Sequence, residues 1–507
     1  MTNAFGRCAL IVGLLAIVFA MAMQRAAADP LAHQWFQYTS QHFLVLSDAP
    51  EAEVRQRIND LELFRAVVLT VTNAKPGPTT VPTEVYLFSS HGDFASSTPY
   101  TNIAGYMRPG LRAQYIVSGP ELFELSTQQV LFHEYVHYLV RNGGGAGVQP
   151  PWYDEGLADM LASTQLRPDR VVLGGDFPMR TQSVDIQFHL SLRALIESSA
   201  VPHGNAYTSA NFYGWAFALV NYLHLAQLGG GPDRLSQLQT YLQLISKSRP
   251  SEKLFVQAFD TDYGGMEHEL YRFFRRQARP VLQLPLKVFT YDAGYQRRAI
   301  DKNELAYRLG YLVVNEVPKY AMQLFSSDGL QQTDARFRAG VGVAWQMQGN
   351  YEAADKDVRA ALAMAPEDPI VLQEVADLQS AWCAQDKKPS DCPARLDEAL
   401  DDYVHILKLK PGLLEAEFAL GKLLVANDLE AKNAIALLNH VVLEAPWHVD
   451  ANAYLGIALQ RAGDNQRAVP FLRRAQSWTE STSPLNAEVS KALKAAEATV
   501  STTAPAP

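Results

Sequence analysis

Two hydrophobic patterns divide the chain. Upstream, β-forming residues cluster in Glu84-Val85-Tyr86-Leu87-Phe88 and Ala113-Gln114-Tyr115-Ile116-Val117, and predict strands of a small sheet. Ser126-Thr127-Gln128-Gln129 has the spacing of a capping box. After it, apolar Val130, Leu131, Leu139 and Val140 continue a helix until Asn142-Gly143 supplies a stop signal. A glycine-rich loop from Gly143 to Gly147 and the Pro150-Pro151 pair then turn the chain, and Trp152 to Ala162 predicts a returning helix. An apolar helix is expected from Asn211 to Leu225, the Gly229-Gly230-Gly231-Pro232 loop follows, and Leu235 to Ile245 and Glu267 to Arg276 read as closing helices. Residues 280–301 form a junction in which Pro280-Val281-Leu282 and Val288-Phe289-Thr290 could be strands of either flanking half.

From residue 302 strand patterns vanish, and the chain becomes helix pairs rich in Ala and Leu with small residues at recurring offsets. Gly342, Trp345, Gly349, Tyr351, Ala354, Ala361 and Pro366 mark one unit, and Gly456, Gly463, Ala468 and Ala475 fall in the same frame. Gly421, Ala434 and Pro446 fit with one extra residue. Ala376, Ala399, Tyr403 and Pro411 fit if residues 383–392 are an insertion between two helices, and Leu309-Gly310 to Phe325 looks like a degenerate first unit. The pattern is similar to tetratricopeptide repeats, about five in all. It implies an all-α solenoid over 302–480, whose concave face commonly holds a protein or peptide, followed over 481–507 by a terminal helix and a small, Pro-rich tail, Ser501 to Pro507, expected to be disordered. A recruitment surface is the expectation; a spacer or a lid on the upstream half is the alternative.

The chemistry lies in His133-Glu134-Tyr135-Val136-His137. Residues four apart share a helix face, so His133 and His137 can aim ring nitrogens at one cation while Glu134 leans toward the same pocket. Glu155 on the returning helix is a natural third ligand. Three protein ligands and one open position are what a catalytic Zn2+ requires, because the fourth position holds a water made acidic by the metal, with Glu134 as its base.

Together with Trp152-Tyr153-Asp154-Glu155-Gly156-Leu157-Ala158, which matches Trp-x-x-Glu-Gly-x-Ala, this motif resembles the gluzincin zinc peptidases, the thermolysin-like and aminopeptidase-like group with a peptidase MA-type domain. The resemblance implies an α+β zincin-like catalytic domain over residues 29–280. It assigns His133, His137 and Glu155 to the metal and Asp159 to the outer ring nitrogen of His133. Related peptidases place a Tyr or His downstream to stabilise the oxyanion; Tyr213 is the choice here, with Tyr207 and His203 as substitutes. The Gly105–Gly110 segment reads as a hairpin loop, with a substrate rim as the alternative. Gly264-Gly265-Met266-Glu267-His268 is superficially similar to the aminopeptidase Gly-x-Met-Glu-Asn signature, but it follows the zinc helix and ends in His. It reads as a turn entering a helix, and endopeptidase action is the expectation.

Arg7, the apolar run Cys8 to Met23 and Ala26-Ala27-Ala28 have the layout of a secretory signal peptide over 1–28, with an uncleaved anchor as the alternative. The mature protein is therefore expected in the periplasm or outside the cell, with no membrane span. Cys383 and Cys392 would then be the two remaining cysteines, and in an oxidising compartment they predict a disulfide. Net charge is −9, and loss of Arg7 and Arg25 with the leader makes it −11. Such a balance argues against nucleic acid as a partner. The reading is an exported zinc peptidase with a repeat array for a protein partner. A retired scaffold acting as an adaptor, and a zinc hydrolase of non-protein amides, are the alternatives.

Overall fold

The computed structural model describes residues 29–503 apart from 78, 100–102, 104, 121–124, 144–148, 176, 182–189, 200, 203–205, 247, 277–278 and 480–482. The expected leader 1–28, most of the glycine-rich loop and His203 lie outside the described residues. No helix among those described is long and apolar enough to cross a membrane.

A six-stranded mixed sheet organises the first half. Its strands are β1 (Phe36–Thr39), β2 (Phe43–Ser47), β3 (Thr83–Leu87), β4 (Gly105–Arg108), β5 (Gln114–Ser118) and, from the junction, β9 (Gln296–Ala299), in the order β4-β5-β3-β2-β1-β9. β2, β3 and β5 run parallel, while β4, β1 and β9 pair antiparallel with their neighbours. A second, antiparallel sheet joins β6 (Gln165–Leu166), β7 (Arg170–Leu173) and β8 (Leu282–Pro285). Both junction strands thus complete sheets of the first half. The expected strand around Val288-Phe289 is instead a 3-10 turn, Leu286–Val288, entered from Pro285 and followed by a loop that leads into β9.

The large sheet is covered on both faces because successive residues of its central strands are apolar, and successive side chains point to opposite faces. One face, with Phe43, Val45, Val85, Leu87 and Ile116, packs on helices α1 (Glu51–Thr72) and α2 (Leu125–Asn142). Helix α1 buries Val54, Ile58, Leu61, Phe64 and Val68, a stripe at spacings of three and four, and Phe64 stacks on Phe132 of α2 at 3.6 Å. The other face, with Leu46, Tyr86, Tyr115 and Val117, is covered by the first helix pair of the second half. Helix α2 begins at Leu125, so Ser126 lies inside it and is not its cap. Helix α3 (Pro151–Ala162) starts with Pro at its first position and is buried nearly all round, between α2 and α4 (Ala206–Leu225). Gly156 is the point of closest approach: a Cβ there would sit 2.4 Å from the Ala216 carbonyl oxygen of α4. Helices Arg234–Ile245, Glu252–Phe259 and Tyr263–Phe274 close this half.

Five helix pairs make the second half. They are α5 (Lys302–Val313) with α6 (Pro318–Phe325), α7 (Ala335–Met347) with α8 (Tyr351–Met364), α9 (Pro369–Cys383) with α10 (Cys392–Leu409), α11 (Leu414–Ala426) with α12 (Ala431–Glu444), and α13 (Val449–Arg461) with α14 (Asn465–Trp478). A final helix, α15 (Pro484–Thr503), packs on the last pair and extends through Ser501, where a disordered tail was expected to begin. The recurring small residues sit where paired helices cross: a Cβ on Gly342 would lie 2.5 Å from Val358, and one on Gly421 or Gly456 would lie 2.7 Å from Leu438 or Leu472. Ala376 and Ala399 take that place in the third pair, both fully buried. Gly349 and Gly463 adopt positive φ just after α7 and α13, which lets each pair turn. A Cys383–Cys392 disulfide ties the loop between α9 and α10.

The first helices of the pairs face the first half. Arg112, between β4 and β5, reaches three of them: its Nε is 3.2 Å from Glu415, its Nη2 is 3.5 Å from Glu374, and its guanidinium lies over the Tyr311 ring at 4.5 Å. Arg308 pairs with Glu84 at 3.0 Å. These side chains tie part of the inner face of the array to the sheet. Between them remains a cleft of about 670 Å3, with Tyr86, Tyr115, Tyr307 and Lys410 among its walls.

Candidate metal centre

Helix α2 buries Leu131, Phe132, Tyr135, Val136 and Leu139 and turns His133 and His137 toward α3. Glu134, between them, is exposed. From α3, Glu155 brings Oε2 to 3.2 Å from His133 Nε2 and 3.4 Å from His137 Nε2, and the two Nε2 atoms are 3.1 Å apart. Both histidines are below a tenth exposed.

The far ring nitrogens set the tautomers. His133 Nδ1 donates to Asp159 Oδ1 at 2.8 Å, and His137 Nδ1 donates to Asp154 Oδ1 at 3.2 Å. An Nδ1–H tautomer leaves the Nε2 lone pair facing inward. Two imidazole lone pairs and one carboxylate oxygen then converge, and that Glu155 oxygen is buried with no well-directed hydrogen bond among the described residues. Three acceptors without a donor are mutually repulsive unless positive charge sits between them. The edge of a tetrahedron with ~2.0–2.1 Å bonds is about 3.3 Å, which the three separations bracket. The donor set and its spacing therefore fit a zinc-sized cation.

Titration behaviour has the same cause. Burial lowers the His133 imidazole, but Asp159 and Glu155 outweigh it and raise the group well above its usual range. His137 is carried against burial up to about 9 by Asp154 and Glu155. Burial raises the carboxylates, yet His137 and Arg141 hold Asp154 at about 2, and the two histidines hold Glu155 well below the carboxylate range. The cluster calls for positive charge at its centre, as protons or as a metal ion.

Each outer carboxylate is held in turn by an arginine. Arg180 Nε donates to Asp159 Oδ2 at 2.7 Å, and Arg141 Nη2 donates to Asp154 Oδ2 at 3.0 Å. Asp154, Arg141 and Arg180 had no role in the sequence reading. Asp154 had a signal, since a second candidate ligand histidine would need an outer partner as much as the first. Arg180 had none, because it comes from an isolated turn, Pro178–Thr181.

Tyr213 lies on α4, with its ring 6.5 Å from that of His133 and the Arg180 guanidinium 4.5 Å above it. Burial, then the charge of Glu155, pushes its phenol up, so the hydroxyl remains a donor. Tyr207 begins the same helix, but its side chain is outside the described residues, as is His203. Gly105–Arg108 forms the edge strand β4 where a hairpin loop was expected. A second group, His33, Asp48 and Asp93, lies at the exposed His33: its Nδ1 is 3.0 Å and 3.2 Å from the two carboxylates, and Ser89 donates twice to Asp48.

No protein-family model matches the chain, and no curated protein does. Among solved structures, a thermophilic TPR protein from Thermus thermophilus is similar at 16% identity and a TM-score of 0.31, over 38% of this chain and 99% of its own. At that score the likeness adds nothing to the helix pairs described above.

Proposed function

We propose that this chain is an exported zinc-dependent peptidase of gluzincin type, acting as an endopeptidase, with the helix-pair array engaging a protein partner or substrate. The convergence of His133 Nε2, His137 Nε2 and a Glu155 oxygen, with both tautomers fixed from outside, carries this reading. Bound there, zinc would polarise an amide carbonyl and make water more acidic. Glu134, exposed on the same helical turn, takes the proton of the attacking water and passes it to the leaving amine. Tyr213 donates its hydroxyl to the developing oxyanion. Asp159 and Asp154 hold the imidazoles in the tautomer that leaves Nε2 free. Export rests on the composition of residues 1–28, and the Cys383–Cys392 bond suits an oxidising compartment. An adaptor with a retired site would have no need of Glu134, whose loss would leave the fold intact.

The test compares the mature wild type with Glu134→Gln for bound zinc and for cleavage of an unfolded protein. One zinc in each, with cleavage in the wild type and a loss of ~10²–10⁴-fold in the variant, is the expected outcome. Zinc in both with no cleavage by either across a broad peptide library defeats the peptidase reading. A wild type without zinc defeats the ligand assignment.

A further inference from the structure

The two histidines are braced by chains of the same kind that end in different places. From His133 the chain runs to Asp159, then to Arg180, then to the face of Tyr213, all within the first half. From His137 it runs to Asp154 at 3.2 Å and then to Arg141 at 3.0 Å. There it leaves the first half, because the Arg141 guanidinium lies 4.9 Å from the ring of Trp478, the last residue of α14. One turn earlier on α2, Tyr138 meets Trp447 edge-on at 4.9 Å, in the connection between α12 and α13. The last two helix pairs therefore grip the outer side of the helix that carries both histidines.

We propose that Trp478 and Arg141 are positioning residues through which the last helix pair of the array sets the orientation of His137. This rests on the metal-site reading above. An arginine side chain has many rotamers, and Arg141 fixes the rotation of the Asp154 carboxylate only if something fixes Arg141. Its Nε makes no hydrogen bond among the described residues, so the indole face is the contact that stands opposite its salt bridge. Asp154 rotation in turn sets the direction of the His137 ring, and thus where Nε2 points. The array can thereby bias one ligand while leaving the other, braced by Arg180, untouched. A partner that shifts α14 would change metal retention at a distance, which makes the array a regulator of the site as well as a surface.

The test measures zinc affinity of the full chain by competition with a chromophoric chelator. The variants are Trp478→Ala, Trp478→Leu, Trp478→Phe, Arg141→Ala and the Trp478→Ala/Arg141→Ala pair, each with a circular-dichroism melt. Loss of the indole should weaken zinc on the order of tenfold, the lower end of what outer partners of ligand histidines contribute. Phe, which restores an aromatic face, should recover most of it, and Leu, which fills space without one, should not. The double variant should lose no more than Arg141→Ala alone. Zinc affinity of wild-type strength in a folded Trp478→Leu protein overturns the proposal, as do losses that add in the double variant. A wild type that binds no zinc overturns the metal-site reading itself, a separate result.

Discussion

Replacing Gly156 by Ala tests how closely α3 and α4 must approach for the site to exist. The added Cβ would stand 2.4 Å from the Ala216 carbonyl oxygen, 2.8 Å from its carbon and 2.6 Å from a Val220 methyl. Two of those atoms are backbone and cannot rotate away, so the helices must separate by ~1 Å to recover ordinary contact distances. Overpacking of that kind costs roughly 1–3 kcal/mol, while Ala in place of a mid-helix Gly returns about 0.5–1 kcal/mol. A net destabilisation of about 1–2 kcal/mol corresponds to a melting temperature lower by roughly 2–8 °C. The effect on catalysis should be larger. Tyr213 lies on α4 less than a turn before Ala216, whereas the proposed ligands lie on α2 and α3, so under the proposed function zinc content should persist while the hydroxyl proposed to donate to the oxyanion retreats. A displacement of ~1 Å can cost on the order of 10²-fold in rate. Calorimetry, metal analysis and peptide cleavage on the same preparation separate these effects. A variant as stable as the wild type would refute the packing argument; one that is destabilised yet fully active would refute the placement of Tyr213.

Acid should destabilise the protein through two histidines that are not themselves proposed ligands: His224, which stacks on Tyr153, and His448 in the array. Burial lowers His224 to about 4, and burial with Lys422, against Asp450, does the same for His448, whose Nδ1 accepts the Ala451 N–H that starts α13. Their folded pKa values lie below the unfolded value of 6.5, so their contribution is present above 6.5 and is lost as pH falls toward 4. Thermal melts should fall across that window, and His448→Asn, which keeps a capping oxygen, should flatten the slope. Breaking the Cys383–Cys392 bond, nine positions apart, should cost about 2–3 kcal/mol by the chain-entropy estimate. Denaturant melts of a Cys383→Ser/Cys392→Ser variant check this, and an unchanged midpoint would mean that the loop is ordered without the crosslink.

What was legible in the sequence was what local spacing determines. Four residues on a helix make one face, so His133 and His137 announce a shared pocket, and crossing helices need small residues, so Gly342, Gly421 and Gly456 announce the pairs. What escaped was set by partners distant in sequence. β9 is exposed along its length and carries no alternation, because it is an edge strand held by backbone bonds to β1. The Arg141–Asp154 pair joins a helix end to the next helix start, and a reading that stops at the three ligands does not ask what holds them. The repeat pattern reads as a recruitment surface, with a spacer or a lid on the upstream half as the alternative; that Arg112 would join the β4–β5 connection to three repeats had no local signal.

The second face of the large sheet is closed by α5 to α7, with Leu46, Tyr86 and Val117 against Leu309, Leu312 and Phe325. During synthesis the strands emerge first, and their apolar face has no cover until residues beyond Phe325 have followed. Trp478, which stands behind the Arg141–Asp154–His137 chain, emerges later still. The first half is thus unfinished for most of the time the chain is being made, and the brace behind His137 is complete only once residue 478 has emerged.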